Sequence, residues 1–353
     1  MLCLVKIIRV AVIGGGVAGI VVSQLLLEHP QYEVILVEKA RRLGGRASLI
    51  PLGQASSVAI GTQVFSMSLD ELNSAEFHSS QIMNLFSAKL NLIVDHDEAC
   101  SNRYRFKEKA WDDLAITLSK QERVTLRLSH HVKKIDRNHR NEWVLEGERW
   151  HHHQKSPFTL QADILIISAP PPQAYQLIAS LEHRHQLDSL IDSLKQTQIE
   201  PCWVVAIAKS SSIFNLIDWA YLKHSKIIKM VNSPSQTSRT TASETQTEEV
   251  IYTIHATHEW SVKHLEEDPE TVAKLLYREF SMSVPSSTMT DQYKVLKSHR
   301  WRYSLIHQPT HPPHLYVSSL RLGICGDALA KGQGHHGIQR AIKSALRLYS
   351  EMT

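Results

Sequence analysis

The sequence predicts an α/β protein: one discontinuous domain built on a parallel sheet, joined to a second domain of α+β type. Three observations carry this. A β-branched run, Ile7 to Ile13, enters a glycine turn that opens a helix. A second apolar run, Glu33 to Glu38, ends on a carboxylate. A glycine turn of similar kind returns near the C-terminus, between Gly323 and Gly337. Motifs at both ends of the chain require one domain assembled from separate segments. We expect it to comprise residues 1–66, 107–180 and 293–353, with 67–106 and 181–292 forming the second domain. Two domains also suit 353 residues, at roughly 100–200 residues each.

Each element follows from its local pattern. Ile7–Ile13 has the continuous apolar character of a strand buried on both faces. Val17 to Glu28 has helical spacing and stops at His29-Pro30. Glu33–Glu38 then completes a βαβ unit. Trp111–Ser119 reads as a helix, and Val124–Ile135 and Trp143–Glu146 as strands around polar turns. Ala162–Ser168 is another buried strand, closed by Ala169-Pro170-Pro171-Pro172, and 173–198 is amphipathic at helical period. Asn232 to Glu249 is Ser/Thr-rich and reads as a mobile surface loop. A strand resumes at Val250, followed by a helix at Pro269–Phe280. The chain closes with a strand at Leu320–Cys325, a turn, and a helix from Gly337 to Met352.

Composition excludes several classes. Hydrophobic residues at 42% and charged residues at 21% rule out disordered, collagen-like and coiled-coil chains. A net charge of +4 is too slight to argue for nucleic acid or a membrane surface. Cys3, Cys100, Cys202 and Cys325 form no CxxC and read as reduced thiols of a cytoplasmic protein. Residues 10–27 are uncharged, but their three adjacent glycines favour a buried strand–turn–helix over a signal peptide or membrane helix.

Gly14, Gly16 and Gly19 satisfy GxGxxG, with Val17 and Ala18 opening the helix. The first glycine permits the tight turn and the second lets backbone approach a diphosphate. The third lets helix and strand pack closely. The diphosphate then meets unpaired backbone N–H groups at the helix start. Such a turn alone is weak, since glycines also serve purely steric ends. Here Glu38 stands nineteen residues after Gly19, at a strand end. A carboxylate there accepts hydrogen bonds from ribose hydroxyls. NAD and FAD share this fingerprint. Leu43-Gly44-Gly45-Arg46 lets the chain pass near a second dinucleotide half, with a cation beside the phosphates. The far signature, Gly326-Asp327 and then Gly337-Ile338, offers a carboxylate at a strand end and a helix N-terminus.

The combination GxGxxG, Glu38, Gly44-Gly45-Arg46 and a C-terminal Gly-Asp turn resembles the FAD-binding domain of the flavin amine oxidase superfamily. Gly61-Thr62-Gln63-Val64-Phe65 and Ala169-Pro170-Pro171-Pro172-Gln173-Ala174 resemble segments of renalase-like oxidoreductases. So do Pro201-Cys202-Trp203, His255 to Ser261 and His299 to Tyr303, in the same order. The likeness runs from about residue 9 to 347. It departs at Ala59-Ile60, at His335-His336 and in the apparent insertion 232–249.

The resemblance implies a Rossmann-type FAD-binding domain with a p-hydroxybenzoate-hydroxylase/amine-oxidase-like arrangement. It implies that FAD is held by Gly14, Gly16, Val17, Ala18, Gly19, Glu38, Lys39, Gly44, Gly45 and Arg46. Gly61, Thr62, Gln63, Val132, Gly326, Asp327, Gly337 and Ile338 complete that set. It places Gln63, His255, Arg300, Trp301 and Tyr303 at the reacting centre, where core packing competes as an explanation of the aromatics. Arg300 and Arg302 alternate about Trp301, so they face one side, either solvent or an anionic ligand. The implied activity is oxidation of a small reduced substrate, a dihydronicotinamide species or an amine. Hydride passes to flavin, and electrons go on to oxygen or another acceptor. A non-catalytic FAD-binding protein derived from such an oxidase is the competing class. His151-His152-His153 cannot all face one ion, and no HExxH exists, so no metal is expected. Neither nucleic acid nor membrane insertion is expected; the partner is a small molecule.

Overall fold

The structure is a computed structural model. It describes residues 6–51, 57–61, 64–67, 90–93, 102–106, 116–151, 154–179, 181, 184–210, 219–222, 224–232, 249–283, 293–330 and 337–353. In chain order, β1 (Ile8–Ile13), α1 (Val17–Leu26) and β2 (Tyr32–Val37) open the fold. Short strands follow: β3 (Leu49–Pro51), β4 (Ser57–Ala59), β5 (Val64–Met67), β6 (Leu90–Ile93) and β7 (Asn102–Phe106). Next come β8 (Val124–Arg127), β9 (His130–Arg137), β10 (Trp143–His151), β11 (Gln154–Ala162) and β12 (Ile164–Ile167). Helices α2 (Pro171–Ile178) and α3 (Asp188–Gln196) precede β13 (Gln198–Ser210), β14 (Trp219–Tyr221), β15 (Ile228–Asn232) and β16 (Glu249–Ala256). The chain ends with α4 (His258–Lys263), α5 (Pro269–Met282), β17 (Tyr293–Gln308), β18 (Tyr316–Val317), β19 (Leu322–Ile324) and α6 (Gly337–Met352).

Two compact units result. Unit 1 comprises Met1–Ser48, Thr62–Gln198 and Ile306–Thr353; unit 2 comprises Leu49–Gly61 and Ile199–Leu305. These limits differ from the sequence division in four places. Segment 67–106, expected in the second domain, clusters with unit 1 in its described residues, where β6 and β7 pair with β5. Segment 181–198 clusters with unit 1, because α3 packs on α2. Segment 293–305 clusters with unit 2, because β17 pairs along β13 as one long strand. Leu49–Gly61 also joins unit 2, where Val58 and Ile60 enter an apolar cluster.

Unit 1 is a Rossmann-like fold. Its sheet has the order β18-β19-β12-β1-β2-β8, with β1 parallel to both β2 and β12. Val10, Ala11 and Val12 are fully buried, as a central parallel strand requires. Every residue of α1 is buried, because α6 packs on it as well as the strands. That explains a helix with no charged residue. Beyond its end Arg123 bonds the carbonyls of Leu27 at the helix cap, His29 in the turn and Tyr32 at the start of β2, at 2.6, 2.7 and 2.9 Å. A separate three-stranded antiparallel sheet, β11-β10-β9, belongs to the same unit.

Unit 2 holds an antiparallel sheet of order β14-β15-β16-β13-β17. One face packs under α4 and α5 through Trp203, Tyr252, Val272, Leu276 and Phe280. Helix α5 starts where Asp268 accepts from the N–H groups of Glu270 and Thr271, with Pro269 at the first helical position. The other face carries Cys202, Val204 and Ala206 with Val58, Ile60 and Trp301. Asn232 and Glu249, assigned from sequence to a loop, instead close β15 and open β16; 233–248 lie outside the described residues. The expected helix at 111–119 is described only from 116. No helix among the described residues is long and apolar enough to cross a membrane.

Candidate functional site

The first glycine turn is made of backbone. Gly14 has φ +109°, and a Cβ there would lie 2.7 Å from the Ser168 carbonyl oxygen, so only glycine fits. A Cβ on Gly19 would stand 2.0 Å from the Gly14 carbonyl oxygen. Gly16 is the opposite case. It precedes α1 with an extended backbone, and a Cβ would meet nothing within 4 Å. The space before Gly16 is therefore open, at a helix N-terminus whose first N–H groups have no intrahelical acceptor. Val17 and Ala18 form the buried first turn behind it.

Glu38 is buried beneath this turn. Its two carboxylate oxygens accept from the N–H groups of Gly15 and Ala40, each at 2.7 Å. Those bonds fix the carboxylate's direction and leave each oxygen a further lone pair. Lys39 donates to Gln173 at 3.2 Å, and burial lowers its pKa against the raising effect of Glu38. Val132 is buried on β9, a strand tied to this corner by the bond from His130 N–H to the Glu38 carbonyl.

The second glycine pair closes onto the first. Gly44 donates its N–H to the Gly15 carbonyl at 2.8 Å, and Gly44 and Gly16 form a parallel bridge. Arg46 then reaches the C-terminal turn. Its Nη1 and Nη2 bond the two Asp327 carboxylate oxygens at 2.9 and 2.6 Å, a bidentate pair across 281 positions. A Cβ on Gly337 would lie 3.4 Å from Asp327, and Ile338 is buried in the first turn of α6. Gly326 has φ +152° and, like Gly16, open space before it. Unit 1 thus brings together the N-terminal turn, the Gly44–Arg46 corner and Asp327.

Sequence reasoning missed two residues here. Arg340, buried on α6, donates Nε to the Asp327 carbonyl at 3.0 Å and Nη2 to the Ile306 carbonyl at 3.4 Å. Ser344 accepts from the Gly326 N–H at 2.9 Å. A charged residue at a core position of an amphipathic helix was the available signal for Arg340. Ser344 gave none.

The residues expected at the reacting centre divide differently. Thr62 and Gln63 lie outside the described residues; Gly61 is half-buried. His255, Arg300, Trp301 and Tyr303 all belong to unit 2. Arg300 and Arg302 do share a side, and the anion they hold is Glu266. Arg300 bonds it at 2.8 Å, and Arg302 at 2.6 and 2.9 Å. Arg300 also donates to the Leu265 carbonyl and lies over the Trp203 ring. Trp301 donates Nε1 to the Ile60 carbonyl at 3.2 Å and meets His299 edge-on. His255 is buried, and its Nε2 has no hydrogen-bond partner. Burial, then the Lys229 charge, lowers its pKa to about 4. Burial and Lys297 lower His299 to about 4 as well. The described residues contain no group of three metal-ligating side chains.

The fold and the turn are those of a Rossmann-like domain. Residues 12–79 match the family described as NAD(P)-binding Rossmann-like domain. Several solved structures share the fold along nearly the whole chain. A candidate protoporphyrinogen oxidase from Exiguobacterium sp. 255-15 is 12% identical with a TM-score of 0.63, covering 98% of both chains. An oxidoreductase from Methanosarcina mazei is 14% identical with a TM-score of 0.60, covering 98% of this chain and 99% of its own. Wild-type putrescine oxidase bound to putrescine is 10% identical with a TM-score of 0.60, covering 98% of both.

Proposed function

We propose that this chain is an FAD-dependent oxidoreductase that oxidises a small reduced substrate, a dihydronicotinamide species or an amine. The observation that carries the reading is the Arg46–Asp327 pair, which ties the N-terminal glycine turns to the C-terminal one. A cradle with a carboxylate at each end, Glu38 and Asp327, suits a ligand with a polyhydroxylated segment on either side of a diphosphate. The open space before Gly16 fits the diphosphate itself. The oxidase likeness of the solved structures supports the same class.

When bound, the flavin would accept hydride from the substrate and release the electrons to oxygen or another acceptor. The chain's own tasks are then limited. The first N–H groups of α1 bind the diphosphate, Glu38 orients the adenosine ribose, and Asp327, held by Arg46, meets the second polyol.

The test is direct. Purified protein should carry flavin absorbance or acquire it on incubation with FAD. Anaerobic addition of dihydronicotinamides or of amines should bleach it with one class and not the other. Protein that takes up no FAD overturns the reading.

A further inference from the structure

Both glycine turns lie at one end of the unit 1 sheet, where Gly14 follows β1 and Gly326 follows β19. The opposite end is where β1, β12 and β19 begin, at Ile8, Ile164 and Leu322. Trp143, buried at the start of β10, reaches this second end. Its Nε1 donates to the carbonyls of Leu320 and Arg321 at 3.0 and 3.1 Å. Arg137 stands opposite Trp143 on β9, and its guanidinium lies over the indole ring, 5.4 Å from the centroid. A bond from Nη2 to the Asn141 carbonyl at 2.8 Å holds it there. Arg321 is exposed in the turn between β18 and β19, with a backbone φ of +51°. A long cation therefore stands where glycine would fit with less strain.

The two guanidiniums are neighbours. Burial, and after it the Arg321 charge, lowers the Arg137 pKa. Arg321 also acts on the Tyr316 phenol, whose pKa burial and Tyr32 raise. The carboxylates of this end are engaged elsewhere. Glu142 and Asp163 lie against Arg9 at 3.5 and 3.9 Å, and Asp136 pairs with Lys134 at 3.2 Å. Among the described residues, no carboxylate bonds the guanidinium of Arg137 or Arg321. A carboxylate ligand would cancel one of their two charges. A phosphate monoester carries about −1.5 to −2 at pH 7 and has three acceptor oxygens, enough to cancel both and to accept from both forks. We propose that Arg137 and Arg321, with the Tyr316 hydroxyl beside Arg321, form a site for the dianion of a phosphate monoester, at the end of unit 1 opposite the glycine turns. The site does not depend on the oxidoreductase reading.

Phenyl phosphate and benzenesulfonate test it, since both present three oxygens on a phenyl ring and differ in charge. Calorimetry is run on protein equilibrated with FAD, above the second pKa of the phosphate, about 6. Wild type should bind phenyl phosphate about tenfold more tightly than the sulfonate. Arg321→Gly should weaken phenyl phosphate about tenfold, the low end for a charge-assisted bond, while its melting temperature holds or rises. Should it melt below wild type, the loss is read from Arg321→Gln instead. Arg149→Gln removes a cation that bonds Ser156 near the far end of β10, and should leave affinity unchanged. Equal losses in Arg149→Gln and the Arg321 variant mean diffuse charge and overturn the site. Equal affinity of wild type for both probes, or no binding by wild type, does the same. Sedimentation with phosphatidylcholine vesicles, with and without phosphatidic acid, separates two sources of the phosphate. Arg321-dependent capture by phosphatidic acid assigns a lipid headgroup. Capture by neither vesicle, with phenyl phosphate bound, assigns a free phosphoryl compound.

Discussion

In unit 1, the groups that surround the glycine turn are main-chain N–H groups and carbonyls, placed by where side chains are absent. In unit 2, the polar groups on the sheet's second face are side chains, placed by strand register. A backbone site is fixed by steric exclusion at the glycines that shape it, such as Gly14 and Gly19, where no side chain fits. A side-chain site is fixed by pairing, so its residues can be exchanged with modest structural loss.

The largest expected effect separates two glycines three positions apart. Gly19→Ala puts a methyl 2.0 Å from a carbonyl oxygen and should destabilise unit 1 by about 3 kcal/mol. Gly16→Ala meets nothing within 4 Å, so its melting temperature should match wild type while FAD affinity falls. Equal melting temperatures for the two variants would break the distinction between steric and ligand-facing glycines.

Next is the clasp. Arg46→Met takes the bidentate partner from Asp327, whose side chain is 7% exposed, while Arg46 itself is 30% exposed; the Arg340 charge stays nearby. The expected loss is about 2–3 kcal/mol, below the 3–5 of a fully buried pair. Denaturant unfolding measures it, and Arg46→Met with Asp327→Leu should recover part. If the double variant is no better than the single, the pair is not what holds the two turns together.

A third effect belongs to unit 2 and runs with pH. His255 and His299 have folded pKa values near 4 against an ordinary 6.5. Between those values the unfolded chain binds more protons, so stability rises as pH rises from about 4 to 6.5 and is level above that. Lys229 and Lys297 act in the same direction, each disfavouring its imidazolium. His255→Phe should flatten the slope by on the order of 1 kcal/mol per pH unit. An unchanged slope would show that His255 titrates normally and is open to water.

The smallest effect sharpens the comparison from the surface. Glu266 is bonded by Arg300 and Arg302 but lies in solvent. Glu266→Gln should leave the melting temperature unmoved, as exposed ion pairs commonly do. A clear drop would mean that the three groups act as a structural unit.

The legibility of the two units follows the same division. The βαβ unit could be read because buried parallel strands are continuous apolar runs and because Gly14, Gly16 and Gly19 stand where backbone geometry demands them. Glu38 could be found by counting along the chain. The Arg46–Asp327 bond could not, since no local pattern links residues 281 apart. In unit 2, alternation placed Arg300 and Arg302 on one side correctly, but their partner Glu266 comes from another element. Asn232 was read as loop because its neighbours to 249 are polar, and strand pairing with β16 overrode that composition. The orphaned Nε2 of His255 depends on what fails to reach it, which no sequence pattern encodes.

The strand order of unit 1 has a consequence during synthesis. Strand β12, Ile164–Ile167, is fully apolar and lies between β1 and β19. Its second neighbour, β19 at Leu322–Ile324, is made only after the whole of unit 2. At about 5–20 residues per second on the ribosome, β12 has one bare edge for roughly ten to thirty seconds. An apolar strand with an open edge pairs readily with another chain. A chain cut short before residue 322 should therefore aggregate even though its glycine turn is intact.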